Sequence, residues 1–293
     1  VIWLTFLPAA LALSLGVLLG LAPLPLHPAW SARLLATAAA AAVASVLGTL
    51  VFISLNYAAT LFPAAADRLP EWALFGDDQP VHAALGVPAL ALTGLAAATA
   101  ARLSARWTAE VRGAQRTARG VVDSDAPLVI AVPGRHGGVI VSRGLLDSLD
   151  RRQLGVVFQH EASHLRHRHH RYLALGALAA GIVPPLRPLN ARLRFTLERW
   201  ADEDAAEAVG DRALVARTIA HVALKQSEAG PLPTLFPAFT GSGVVQRVEA
   251  LLTTAPGKNT ISGPLALAGA GLASGALASL AWQLDHALGL PLL

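Results

Sequence analysis

Apolar and polar positions alternate in long blocks along this chain, not residue by residue. Residues 2–22 form an uncharged, mostly apolar run, and residues 34–55, 81–103 and 264–282 do the same. Each is long enough, at ~1.5 Å of rise per helical residue, to cross a hydrocarbon layer ~30 Å thick. Pro23, Pro25 and Pro28 separate the first run from the second. A fifth apolar stretch, 173–183, ends at Pro184-Pro185 after about a dozen residues, short of the ~20 a span needs. It predicts a helix near 172–186 that dips into the membrane or is buried.

Between these blocks the pattern changes. Leu128–Val132 and Val139–Ser142 are short β-type runs flanking Pro133-Gly134-Arg135-His136-Gly137-Gly138, which predicts a hairpin. Gly144–Leu149 starts a short helix, and Asp150 is placed to cap the next one. Residues 193–209 predict a charged helix, 230–243 a Pro/Gly-rich loop, and 244–252 a short helix. The expected fold is mainly α: polytopic membrane helices, about four spans, with an inserted α+β domain. Three spans occupy 1–103, the inserted domain 104–255, and a final span 256–293.

Composition agrees with a membrane protein. Hydrophobic residues make up 54% and charged residues 14%, with mean hydropathy +0.51, values far from those of soluble domains. The first run lacks the positive charge that precedes a cleaved leader, so it is expected to be retained. Arg102, Arg106, Arg112, Arg116 and Arg119 cluster at and after the end of the third run, which places that end in the cytoplasm. The loop before it carries Asp67, Glu71, Asp77 and Asp78 against Arg68, and the loop around Arg33 is short. Counting back puts the amino terminus outside. There is no cysteine, so disulfides and thiolate ligands are excluded, and any metal must be held by His, Asp or Glu.

One stretch carries chemistry. Val156-Val157-Phe158-Gln159-His160-Glu161-Ala162-Ser163-His164 contains HExxH. On a helix His160 and His164 lie one turn apart on one face, so both imidazoles can meet one metal ion. Glu161 is turned by ~100° and can reach a water beside that ion, as the base of a metal-assisted hydrolase requires. With ten histidines and eight glutamates, chance produces this pattern in about one such chain per hundred.

A third ligand is needed. Glu198 and Asp202, in Glu198-Arg199-Trp200-Ala201-Asp202, are spaced i, i+4 and project from one helical face. One carboxylate would complete a His₂Glu set, and the other would accept the remaining N–H of a ligating histidine. Spacing alone does not assign the roles, because Glu203, Asp204 and Glu207 share the helix.

These segments together resemble the integral-membrane zinc metallopeptidases of the β-lactam-sensor/antirepressor type. Those are gluzincins related to the CAAX prenyl proteases and the heat-shock membrane proteases. The likeness rests on HEASH, VIVSRGLLDSL, RRQLGVVFQ and ERWAD and covers roughly 120–252. It implies that His160, His164 and Glu198 bind one Zn²⁺ per chain, that Glu161 is the catalytic base, and that Asp202 stands behind the ligands. Val245–Leu252 is similar to that family's closing segment, whose arginine often supports the site; this points to Arg247. The antibiotic sensors carry a large external penicillin-binding domain after the last span and the sequence here ends, so the resemblance is not extended to antibiotic sensing.

The expected function is a membrane-embedded zinc metalloendopeptidase. Its substrate would be a cytoplasmic or membrane protein, with a transcriptional repressor suggested by the resemblance. The alternatives are a quality-control protease for membrane proteins, and a non-catalytic signalling or scaffold protein with a structural metal site, against which the intact Glu161 speaks. A transporter would want ionisable groups in its spans, and 34–55 has none. The Val139–Ser142 strand is expected to hold an extended substrate by strand addition. His221 and His136 are read as surface or structural histidines, with an oxyanion role as the alternative. The run Arg166–Arg171 lacks the aromatic interleaving of a nucleic-acid site and is read as a patch against anionic headgroups, continuing the active-site helix. The bilayer is the expected partner, with the site on the cytoplasmic side.

Overall fold

A computed structural model describes residues 6–62, 81–117, 120–134, 137–229 and 243–273. Outside them lie the acidic stretch with Asp67, Glu71, Asp77 and Asp78, then Arg119, Arg135 and His136, nearly all of the 230–243 loop, and the last apolar run beyond residue 273.

The chain is mostly helical. The apolar runs form α1 (Leu7–Leu21), α2 (Pro28–Leu61) and α3 (Ala83–Thr117). Among the described residues only Pro28–Leu61 and Ala83–Arg116 are long and apolar enough to cross a membrane; α1 and the helix Ser262–Ala273 are shorter. α3 runs unbroken past position 103, so the apolar run and the polar positions that follow it are one rod.

The polar segment opens with a three-stranded sheet of β1 (Val121–Val122), β2 (Val129–Val132) and β3 (Gly138–Ser142), in the order β1-β3-β2. β2 and β3 form the expected antiparallel hairpin, with Val129 opposite Val141 and Ala131 opposite Val139. β1 pairs in parallel with β3 at Val141 and Ser142; two residues long, it leaves no periodic signal in the sequence. β3 is therefore the middle strand, and the open edge belongs to β2.

Next come α4 (Arg143–Ser148) and α5 (Arg151–Arg166). Asp150 caps α5 as expected, in a reciprocal box with Gln153: each side chain accepts from the other residue's backbone N–H, at 2.9 and 3.1 Å. α5 buries one face, Val156, Val157, His160, Glu161 and Ser163. It stops at His167, because Arg168 adopts a left-handed conformation (φ 55°). The basic run thus does not prolong the helix as the sequence suggested. It bends, and His169 turns inward.

α6 (His169–Ile182) is the short apolar helix; at 14 residues it packs among α2, α3 and α7 (Arg187–Val209). Small residues allow these approaches. A Cβ on Gly176 would lie 2.5 Å from Asn190 Oδ1, and one on Gly20 would collide with the backbone of Leu189. α8 (Arg212–Ala229) and α9 (Val244–Leu252) complete the described polar segment.

Two large apolar cores result, besides a small cluster of Ile53, Val81 and Ala89. One joins α1 and α2 to α6 and α7 through Ala32, Leu35, Ala39, Leu189, Leu193 and Leu197. The alanine-rich half of α2 thus buries its small residues inside the bundle, as their spacing predicts. The other core joins the sheet and α5 to α8 and α9 through Val129, Val141, Val157, Val215, Ile219 and Leu251. α7 enters both, with Trp200 in the first and Ala205 in the second. It is held from two sides at the turn where it carries Glu198 and Asp202.

Candidate metal centre

α5 and α7 cross with their polar positions face to face. His160 Nε2 lies 3.1 Å from His164 Nε2, 3.5 Å from Glu198 Oε2, and Glu198 Oε1 lies 3.6 Å from His164 Nε2. Ligand atoms of the three residues all fall within 4.8 Å of one another, a cluster that could hold a metal ion.

The five acidic residues of α7, which spacing alone does not tell apart, have distinct surroundings, with His160 shared by two of them. Glu198 faces the two histidines. Asp202 lies behind them, with Oδ1 3.0 Å from His160 Nδ1. Glu203 is paired with Arg199 and Arg212. Asp204 accepts from Ser163 Oγ at 2.7 Å and lies 2.9 Å from His167 Nε2, tying α7 to the end of α5. Glu207 meets Lys258 on the surface at 2.7 Å.

Arg247, from α9, is fully buried and donates to both oxygens of Asp202, at 2.8 and 2.7 Å, while its Nη1 lies 3.1 Å from Glu198 Oε2. The fork geometry suits a carboxylate that must stay ionised without solvent. Burial works against both charges, yet Arg247 and the histidines hold Glu198 down at about 2 and Asp202 still lower. Burial also opposes a charge on His160, but its hydrogen bonds to Asp202 and Glu198 raise it to about 9.

Glu161 is 4% exposed and lies between α5 and the sheet. Ser142 N–H donates to Leu128 O at 2.9 Å, so by antiparallel alternation the backbone groups of Val129 and Ala131 turn away from β3. Ala131 N–H is hydrogen-bonded to the Glu161 carboxylate. Burial nevertheless raises Glu161 to about 7. The strand edge beside the site is therefore that of β2, not the Val139–Ser142 strand expected from the sequence.

The donor set and the charges fit a divalent ion. Glu161, Glu198 and Asp202 carry three negative charges when ionised, and Arg247 returns one. With His160 neutral, as a ligand has to be, the two still needed are those of a dication; without one, a proton on His160 and one on Glu161 take their place.

Residues 98–184 match the model of peptidase family M48. The matched segment spans the end of α3, the sheet, α5 and α6, and so includes His160, Glu161 and His164; Glu198, Asp202 and Arg247 lie beyond it. Over 66 residues the chain is 39% identical to a "Protease HtpX homolog" of Acidiphilium cryptum (strain JF-5). That stretch is 22% of this chain and 23% of the relative, so the chain matches under a quarter of that protein's length. No solved structure matches. The M48 and HtpX matches support the resemblance to membrane zinc metallopeptidases, on its heat-shock-protease side.

Two residues around the site escape sequence reasoning to different degrees. Arg247 was legible only as part of a resembling segment. His169 sat unnoticed in a basic run: it is fully buried, with Nδ1 2.8 Å from His164 Nδ1 and its ring against Trp200 at 4.8 Å. His221 meets Gln153 at 3.5 Å, in the first turn of α5 and well before the histidine pair. His136 lies outside the described residues.

Proposed function

We propose that this chain is a membrane-embedded zinc metalloendopeptidase holding one Zn²⁺ between His160, His164 and Glu198. The observation that carries this reading is the convergence of those three side chains from two helices, with Glu161 alongside at the β2 edge. A donor set without sulfur, two imidazoles and one carboxylate, is the one used by hydrolytic zinc. When bound, zinc lowers the pKa of a water toward ~7 and polarises a scissile carbonyl.

The remaining roles belong to the chain itself. Glu161 accepts the proton of the attacking water and returns it to the leaving amine; a carboxyl group poised at about 7 can do both. Asp202 accepts from His160 Nδ1, fixing that ring's tautomer so that Nε2 is free for the ion. Arg247 keeps Asp202 and Glu198 ionised. The outward backbone groups of Val129 can take an extended substrate by strand addition, next to the base.

The substrate proposed is a cytoplasmic or membrane protein. A quality-control role is favoured by the match to the HtpX homolog, and a transcriptional repressor by the antirepressor side of the resemblance. The arginines support a cytoplasmic site with the amino terminus outside. Arg33 lies over Trp200 at 5.2 Å, and Gln115 donates to Pro133 O at 2.7 Å, so the basic ends of α2 and α3 are at the site's end of the bundle.

The test is a pair of variants in the full chain. Glu161→Gln should retain the metal and lose cleavage, whereas His160→Ala should lose both. Cleavage of a wild-type substrate by the Glu161 variant would remove the base from the scheme. A chain that binds metal but changes no protein of the membrane proteome would instead be the scaffold.

A further inference from the structure

We propose that the groove between α3 and α6 is a binding site for an anionic phospholipid, separate from the metal centre. The groove has a volume of about 490 Å³. Its walls are mostly apolar, with Leu103 and Trp107 from α3 and Leu173, Ala177 and Leu178 from α6, and carry the hydroxyls of Ser104 and Thr108. Two cations lie on its rim, Arg106 from α3 and Arg194 from α7. Both are exposed, and among the described residues neither has an ion pair or a side-chain hydrogen bond. Glu110 also lines the groove and is joined to neither, which leaves two guanidinium groups against one carboxylate.

Charge and shape both select a lipid. Guanidinium forks match a phosphate's oxygens, and the wall beneath them is mostly hydrocarbon. Above it on α3, Leu92 and Leu95 are exposed on a helix long enough to span a membrane. A peptide is the poorer occupant. Both walls are α-helical, with their backbone groups hydrogen-bonded internally, and offer no strand edge. Trp107, half-buried at the level of the arginines, is the residue type that settles at the headgroup boundary.

The inference rests on α3 being a membrane span, and the experiment separates the two. Carbonate extraction asks whether the wild-type chain stays in membranes. The full chain, purified in detergent, is then titrated with dioleoylphosphatidylglycerol or dioleoylphosphatidylcholine and read by native mass spectrometry. Two arginines at a headgroup should give about thirtyfold preference for the anionic lipid. Arg106→Gln/Arg194→Gln should abolish that preference. Arg112→Gln/Arg116→Gln, which removes the same charge from α3 outside the groove, should leave it intact, and inorganic phosphate should not displace the lipid. Equal losses in both double variants, no loss in the first, or displacement by phosphate would overturn the site while leaving the span standing. So would a groove variant that keeps its lipid but no longer cleaves a membrane-anchored substrate. Extraction of the wild type by carbonate would overturn span and site together.

Discussion

The Nδ1 atoms of His164 and His169 lie 2.8 Å apart, so the second histidine of the HExxH motif is oriented by another imidazole. Only one of two facing nitrogens can carry the proton. If His164 Nε2 is to meet a metal, its proton sits on Nδ1 and is donated to His169 Nδ1. His169 then keeps its own proton on Nε2, which is buried without a hydrogen-bond partner among the described residues. Burial lowers His169 to about 2 and His164 to about 4, so both rings are neutral at working pH. The two histidines of the motif are thus held differently, His160 by a carboxylate and His164 by a neutral ring.

Replacing His169 should therefore loosen the metal. His169→Leu fills the space without an acceptor and should weaken metal affinity by about 10–100-fold, the usual cost of losing an orienting partner. His169→Asn, whose amide oxygen can accept, should retain most of it. Chelator competition on the purified chain measures both. Wild-type affinity in the leucine variant would reduce His169 to a packing residue.

Arg247 should matter most when the metal is absent. Its removal leaves Asp202 and Glu198 buried with only the protonated His160 as counter-charge, which destabilises by about 3–5 kcal/mol. Arg247→Met should lower the melting temperature of chelator-treated protein sharply, and added divalent metal should narrow the gap. A gap that metal leaves unchanged would argue that Arg247 serves packing between α9 and α7.

Metal uptake should strengthen as pH rises. Without metal, Asp202 and Glu198 keep His160 protonated up to about 9, and a ligating imidazole must give that proton up. Below that pH each unit of increase should tighten apparent affinity by about tenfold, the slope of one displaced proton. Asp202→Asn withdraws the carboxylate that raises His160 and should flatten the slope near neutral pH. Proton release on zinc addition, followed by calorimetry in buffers of different ionisation enthalpy, reports the same quantity.

The cap of α5 offers a control far from the ion. Asp150→Ala removes the acceptor for Gln153 N–H and should cost about 1 kcal/mol in stability. Metal affinity should not move, because α5 is held along its buried face by Val156 and Val157.

Much of the helical layout was readable in the chain. Apolar blocks of spanning length became α2 and α3, the Asp150 cap starts α5, and 244–252 is α9 to the residue. Local rules suffice there, since composition and capping act within a few positions. α1 is shorter than its apolar run suggested within the described residues. β1 was invisible because its two residues are strand only by virtue of β3, and without it β3 was mistaken for the edge. His169 was hidden by its neighbours: a histidine among arginines looks solvated until Arg168 turns the backbone and buries it.

The sequence by itself put His160 and His164 on one face with Glu161 beside them, because a spacing of four residues on a helix puts two side chains on one face whatever the fold. It also determined that the chain is apolar in blocks long enough for a bilayer. Only the tertiary structure shows, beyond what the resemblance implied for Glu198 and Arg247, that these side chains meet the histidines and Asp202, that the β2 edge lies beside Glu161, and that His169 is buried against His164. Those placements depend on the crossing of α5 with α7 and the docking of α9, contacts between segments tens of residues apart that no local pattern encodes.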